Sequence, residues 1–277
     1  MLSYRTILIT GVSSGFGRAL AEQALQAGHR VIGTVRNEAD KIAFEMLDHH
    51  RAIGRILDVT NHEDIDRLIR DIESHIAPID VLVNNAGYGH EGLLEESSMQ
   101  EIKRQFEVNV FGAVALMKCV VPFMRQRRKG RILNITSMGG YITMPGISDY
   151  CGSKFALVGI SEAVGKELEP FNIFVTSVAP GSFRTDWAGR SMVRTPRMIR
   201  DYDESFDPVR KAREDKNGKQ LGDPVKAAKA MLKLIDSPHP PSHLLLGSDA
   251  LSLVRSQLAD MHKLMDDWED LTCSTDG

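Results

Sequence analysis

The segment that most constrains this chain runs from Tyr4 to Gly28. Tyr4-Arg5-Thr6-Ile7-Leu8-Ile9-Thr10 has the pattern of a buried strand, and it runs into Gly11-Val12-Ser13-Ser14-Gly15-Phe16-Gly17. Arg18 to Leu25 then read as a helix closed by Gly28. A strand, a glycine turn and a helix in that order commit the start of the chain to an α/β architecture. Gly11 permits the tight turn, Gly15 lets backbone approach a pyrophosphate, and Gly17 allows the helix to pack closely. The helix N-terminus, with Ser13, Ser14 and Phe16 around it, offers free N–H groups to an anion. The spacing is G-x-x-x-G-x-G rather than the commoner G-x-G-x-x-G, and taken alone such glycines also serve a turn that binds nothing.

Strand and helix signals alternate along the rest of the chain, which predicts a Rossmann-type doubly wound parallel sheet of about seven strands. Strands are expected at about 6–10, 30–35, 53–57, 80–83, 131–135, 173–178 and 243–246, with a long helix at about 99–124 and another after Asp223-Pro224. The uninterrupted apolar runs Val81-Leu82-Val83 and Ile173-Phe174-Val175 fit strands buried on both faces. At 277 residues the chain suits a single domain spanning 1–277. The one compositional break lies between Gly181 and Gly222, rich in charged residues, where Pro196 and Pro208 are expected to interrupt any long helix. It reads as a variable substrate lid at about 182–222.

Charge and cysteine usage narrow the function classes. Lys plus Arg number 34 against 37 Asp plus Glu, which gives no general attraction to nucleic acid or an anionic membrane. Met1-Leu2-Ser3 leads straight toward the first strand without a signal-type apolar core, and no uninterrupted apolar run reaches membrane-spanning length. Cys119, Cys151 and Cys273 are an odd count without metal-ligand spacing, so no metal is expected and reduced thiols in the cytoplasm are.

Three residues carry chemistry. Tyr150 and Lys154 stand one turn apart on a helix predicted to continue to about Pro170. An ammonium beside a phenol favours the phenolate, so the pair is expected to lower the Tyr150 pKa and make a proton shuttle. Ser137 follows the strand Arg131-Ile132-Leu133-Asn134-Ile135-Thr136, where open α/β sheets bind ligands, and its hydroxyl can polarise a carbonyl. A Tyr-x-x-x-Lys spacing is common, however, and in isolation also fits an exposed helix.

Thr10-Gly11-x-x-x-Gly15-x-Gly17, Asn84-Asn85-Ala86-Gly87, Asn109, Ser137, Tyr150-x-x-x-Lys154 and Pro180-Gly181 occur in order, and with them the chain resembles the compact branch of the short-chain dehydrogenase/reductase family over about residues 5–186. The resemblance implies strand order 3-2-1-4-5-6-7 and a hydride transfer between a nicotinamide cofactor and a ketone or secondary alcohol. Ser137, Tyr150, Lys154 and Asn109 would be the catalytic group, with Lys154 also holding the nicotinamide ribose and Asn109 continuing a proton path to solvent. Read without the resemblance, Asn109 is equally a satisfied core amide. Asn85, Ala86 and Gly87 would lie beside the cofactor. Asp58 and Val59 would meet the adenine, although Asp58 also fits a cap for a helix starting near Thr60. Pro180, Gly181 and Phe183 would pack by the nicotinamide and Thr185 would bond its carboxamide or the pyrophosphate, while Thr185 also reads as an N-cap.

The second strand points to NADP, with NAD as the alternative. His29-Arg30-Val31-Ile32-Gly33-Thr34-Val35-Arg36 has no carboxylate for a ribose 2′-hydroxyl, and Arg36 is placed to pair with a 2′-phosphate. Ser14, where some NADP-preferring relatives carry a basic residue, weighs the other way. The expected activity is an NADP(H)-dependent carbonyl reductase or alcohol dehydrogenase acting on a small, lipophilic carbonyl or alcohol. The rival is a nucleotide-sensing regulator without catalysis. Surplus apolar positions on two helices, among them Val114, Leu116, Met117, Val120, Leu157, Val158, Ile160 and Val164, predict a homo-dimer or homo-tetramer.

Overall fold

Each strand of the sheet begins a strand-and-helix unit whose apolar residues divide between two faces. The computed structural model describes residues 4–277; Met1-Leu2-Ser3 lie outside the described residues. The order is β1 (Thr6–Thr10), α1 (Gly15–Gln26), β2 (Arg30–Val35), α2 (Glu38–Glu45), β3 (Ala52–Ile56), α3 (His62–Asp71), β4 (Val81–Asn84), β5 (Gly89–Glu91), α4 (Met99–Phe106), α5 (Gly112–Arg127), β6 (Gly130–Ile135) and α6 (Ser148–Leu168). There follow β7 (Ile173–Pro180), β8 (Met192–Arg194), α7 (Asp203–Asp215), α8 (Pro224–Asp236), β9 (His243–Leu246), α9 (Ser248–Asp267) and α10 (Glu269–Cys273).

Seven strands form one sheet in the order β3-β2-β1-β4-β6-β7-β9, every pair parallel. This is the expected 3-2-1-4-5-6-7 once the short β5 and β8, which pair only with each other, are set aside. Successive side chains of a strand alternate between faces. Ile7, Ile9, Val81 and Val83 therefore join the core beneath α1 and α8, while Leu8, Ile32, Leu82 and Ile132 join the core beneath α3 and α5. Helix starts follow local capping chemistry: Asn61 accepts from Asp64 N at α3, Ser98 and Glu101 form a capping box at α4, and Asp223 accepts from Val225 N at α8. Asn61, not Asp58, is thus the cap of the helix after β3.

Four expectations need revision. The helix predicted at 99–124 is continuous to Arg127 but carries a π-helical turn at Glu107–Phe111, with Asn109 in it. By length and composition the run Met99–Arg127 is apolar enough to cross a bilayer, contrary to the reading of the sequence; in the fold its Leu116, Met117, Val120 and Met124 are buried in the core. Pro208 does not break a helix but lies inside α7 as its sixth residue, where only one carbonyl, that of Glu204, loses its helical donor. The surplus on α5 and α6 is smaller than expected, because Leu116, Met117, Val120 and Leu157 are buried within the chain itself.

Candidate active site

The site lies along the carboxyl edge of the sheet, where the segments after β1, β4, β6 and β7 open into one cavity of about 1660 Å³. At its β1 end, Gly11 and Gly15 adopt φ values of +72° and +58°, which a side chain disfavours. A Cβ on Gly17 would stand 2.2 Å from the Gly11 carbonyl oxygen, so α1 approaches the turn as closely as glycine allows. Asn85 secures this turn from β4: its Nδ2 donates to the carbonyls of Thr10 (2.8 Å) and Gly11 (3.0 Å). The Thr10 hydroxyl accepts in return from the backbone N–H groups of Asn85 and Ala86. Ser14 is the N-cap of α1, yet its side chain makes no capping bond, so the first-turn N–H groups stay available to an anion. The turn therefore fits a dinucleotide pyrophosphate.

At the other end, Ser137 leaves β6 and Tyr150 and Lys154 project from the start of α6. Both are nearly wholly buried, at 5% and 7% exposure. The Lys154 ammonium donates to the carbonyl of Ile135 (2.9 Å) and lies 5.8 Å from the centre of the Tyr150 ring. Trp187 packs on the same phenol with ring centres 5.1 Å apart. Burial pushes the Tyr150 phenol well above its usual value, with the Ser137 hydroxyl and the Trp187 indole offsetting only part. Burial also pulls Lys154 down to about 8. This reverses the expectation of a lowered Tyr150 pKa. The ammonium is directed at a backbone carbonyl rather than at the phenol oxygen, and desolvation disfavours the charged form of both groups.

The cavity is lined by Gly11, Ser13, Ser14, Gly15, Phe16, Arg36, Asp58, Val59, Asn85, Ala86, Gly87, Ser137, Tyr150, Lys154, Pro180, Gly181, Phe183 and Thr185. Two expected residues stand behind it. Gly17 lies under the turn, and the Asn109 side chain clamps the backbone of Tyr88, accepting from its N–H and donating to its carbonyl at 3.1 Å each. Asn109 is thus a satisfied amide that shapes the wall. Arg36 is exposed at the end of β2 and forms no hydrogen bond or ion pair among the described residues. Thr185 both lines the cavity and caps a short turn through Trp187 N (3.4 Å). Phe183 sets its ring edge-on to Phe16 at 5.1 Å, joining the segment after β7 to the glycine turn.

Several site residues gave no signal in the sequence. Asp249 of α9 accepts from Ser182 N (2.7 Å) and fills the space a side chain at Gly181 would need. Glu91 is buried and binds Arg194 (3.1 Å), Arg210 (3.2 Å) and Arg213, all from the 182–222 segment. Glu96 receives Arg197 together with the backbone N–H groups of Met198 (2.7 Å) and Ile199 (2.8 Å). Their partners lie about 70 to 120 positions away along the chain, beyond any local pattern.

Comparison with known proteins agrees with this geometry. A model of the short chain dehydrogenase family matches residues 5–193. The 3-ketodihydrosphingosine reductase of Bacteroides thetaiotaomicron is 38% identical over 245 residues, covering 87% of each chain. A crystal structure of a short-chain dehydrogenase from Streptomyces avermitilis superposes with a TM-score of 0.93 at 37% identity, covering all of both chains. The structure of ElxO with NADP bound gives 0.75 at 25% identity, over 90% of this chain and 100% of that one. With its motifs in one cavity and these likenesses along its length, the chain belongs to the short-chain dehydrogenase/reductase family and is an oxidoreductase.

Proposed function

We propose that this oxidoreductase uses NADP(H) to interconvert a ketone and a secondary alcohol, with Tyr150 as the acid–base group. The observation that carries the reading is the convergence of Ser137, Tyr150 and Lys154 at one end of a cavity whose other end is the glycine turn. When bound, the dinucleotide supplies or takes up the hydride. Ser137 donates a hydrogen bond to the substrate oxygen and Tyr150 delivers or removes the proton there. The phenol carries its proton at neutral pH, and burial raises its pKa further, so Tyr150 can donate to a substrate oxygen. Lys154 keeps N–H donors beyond the one used on Ile135, and these suit the nicotinamide ribose hydroxyls. Pro180, Gly181 and Thr185 wall the nicotinamide end.

The preference for the phosphorylated dinucleotide rests on Arg36, an exposed guanidinium on the cavity wall beside the buried Val35, where no carboxylate stands to receive a ribose hydroxyl. A lipophilic substrate is supported by Met144, Ile147, Trp187 and Val193 on the wall near Tyr150, and by the likeness to a reductase whose named substrate is a sphingoid ketone. Residues 182–222 serve as the lid over that half. Exposed Phe111 and Phe155, at the two helices expected to pair, support a homo-oligomer. Three free thiols fit the cytoplasm.

The deciding experiment is Tyr150→Phe assayed with NADPH against ketones of increasing chain length. Turnover is expected to fall by about 100- to 10,000-fold while NADPH affinity, read by nucleotide fluorescence, stays near wild type. Retained turnover in the variant would remove Tyr150 from the reaction.

A further inference from the structure

His90 is the most completely enclosed imidazole of the site, at 0% exposure, and both of its nitrogens are engaged. Nδ1 lies 2.5 Å from Asp149 Oδ2, and Nε2 lies 2.9 Å from the Thr195 hydroxyl. Thr195 donates its own hydrogen to Glu101 Oε1 (3.3 Å), so its oxygen is left to accept from Nε2–H, while Nδ1–H meets the Asp149 carboxylate. The network accordingly holds a doubly protonated ring. Its pKa agrees: burial lowers it, but Asp149 and Glu101 together raise it above the usual value.

The two ends of this network are what give it meaning. Thr195 is the lid residue directly after β8, tied to β5 by its own backbone N–H to Glu91 (2.9 Å). Asp149 sits in the first turn of α6, and its second oxygen accepts from the backbone N–H of Tyr150 (2.9 Å). That N–H is one of the orphan donors of a helix start, and Ile147, the N-cap, provides no side-chain bond. An unbroken line of hydrogen bonds thus runs from the lid through one imidazole and one carboxylate to the backbone of the tyrosine.

We propose that His90 is a positioning residue that couples the seated lid to Tyr150, so that contact of Thr195 with the ring fixes Asp149 and, through it, the start of the helix bearing the phenol. The inference rests on Tyr150 being the acid–base group. With the lid displaced, the ring loses one anchor and Asp149 is free to turn from the Tyr150 N–H. With the lid seated, the phenol is held where Ser137 faces it. Proton transfer is thereby tied to closure over a substrate.

The test uses the full-length protein labelled with ¹³Cζ-tyrosine. Five tyrosines give five signals, and Tyr150 is the one lost in Tyr150→Phe. Thr195→Val, which keeps the shape and removes the hydroxyl, is expected to shift the Tyr150 signal while the signals of Tyr4, Tyr141 and Tyr202 stay in place. It should also speed hydrogen exchange of the Tyr150 amide by about fivefold, as expected for one lost hydrogen bond. Thr195→Ser should restore both readings. In a His90→Phe background Thr195→Val should change neither. Should that background not fold, Asp149→Asn replaces it, since its single carbonyl oxygen cannot serve both the ring and the Tyr150 N–H. An unmoved Tyr150 signal in Thr195→Val, or the same shift in the presence and absence of His90, would overturn the coupling. Retained turnover in Tyr150→Phe would instead sink the acid–base reading and leave these spectra untouched.

Discussion

The glycine turn and the lid wall the same cavity, yet they are held by opposite kinds of force. The turn is fixed by neutral backbone and amide contacts at the limit of close approach: Gly17 against the Gly11 carbonyl, and Asn85 across Thr10 and Gly11. The proposed lid has backbone pairing of β8 with β5 and the buried Met192 and Phe206, but its distinctive clasps are charged, arginines gathered on the buried carboxylates of Glu91 and Glu96. Steric contacts of the first kind have one good arrangement and hold it rigidly. Ion pairs of the second kind hold firmly only while the partners stay desolvated. On the reading proposed above, the first kind suits a fixed wall for the cofactor and the second a wall over the substrate that can be released.

The hardest way to break the rigid wall is Gly17→Ala. The added methyl would collide with backbone on one side and the Asn85 amide on the other, and neither is the free end of a flexible chain. The expected loss of folding stability is on the order of 4 kcal/mol, measured by urea denaturation, with nucleotide binding lost as well. A variant that binds NADPH normally would show that the turn yields, and the contrast with the lid would fail.

Glu91→Gln tests the other wall. It keeps the side-chain shape and leaves three guanidinium groups facing a neutral amide, which should cost about 3 kcal/mol. Proteolytic cutting within 195–220 should rise while NADPH affinity hardly changes. A uniform loss of protection over the whole chain would mean that the lid does not open by itself.

This contrast also explains what the sequence made legible. The glycine turn, the strands and Tyr150 with Lys154 are local patterns, where spacing along the chain equals placement in space; all seven strands of the main sheet fall within a few residues of their expected positions. The clasps of Glu91 and Glu96, the bond from Asp249 to Ser182 and the His90–Asp149 contact join residues about 60 to 120 positions apart, and no periodicity records them. The pairing of β5 with β8 went unseen because strands of three residues lie below the length at which alternation is visible. The Tyr150 pKa was misjudged for a related reason. Spacing showed that an ammonium stood near, but not that Ile135 held it or that water was excluded.

Arg36 adds charge at the glycine-turn end of the cavity, as an exposed cation with no hydrogen bond or ion pair among the described residues, and it sharpens the comparison because the partner proposed for it is a ligand phosphate. Arg36→Ala is expected to weaken NADP binding by about 1.5 to 3 kcal/mol and to leave NAD binding nearly unchanged. Adding Val35→Asp should turn the preference toward NAD, since the carboxylate accepts from the ribose hydroxyl and repels the phosphate. Titration of both cofactors by calorimetry decides it. Equal losses for the two would make Arg36 part of the framework.

Lys154 belongs to neither wall: a buried cation with no carboxylate paired to it among the described residues, stabilised by one carbonyl and the ring of Tyr150. Its proton is held less tightly in the folded chain, at about 8, than in the unfolded chain, at 10.5. Below pH 8 both states carry the charge and the fold bears the whole cost of burying it. Between pH 8 and 10.5 the unfolded chain holds a proton that the folded chain has released, so this residue makes stability rise with pH through that window. Lys154→Met removes the charge and keeps the length of the side chain. After allowing for the bond to Ile135 that it also removes, the variant should be more stable than wild type at pH 7 by about 1 to 2 kcal/mol. That advantage should shrink steadily from pH 8, vanish inside the window and reverse toward 10.5, because a fall of this size is worth about 3 kcal/mol and the neutral amine keeps its bond to Ile135; denaturant unfolding at each pH measures it. A difference that stays flat across the window would mean that the ammonium is compensated after all, and that the site holds its cation as the lid holds its arginines.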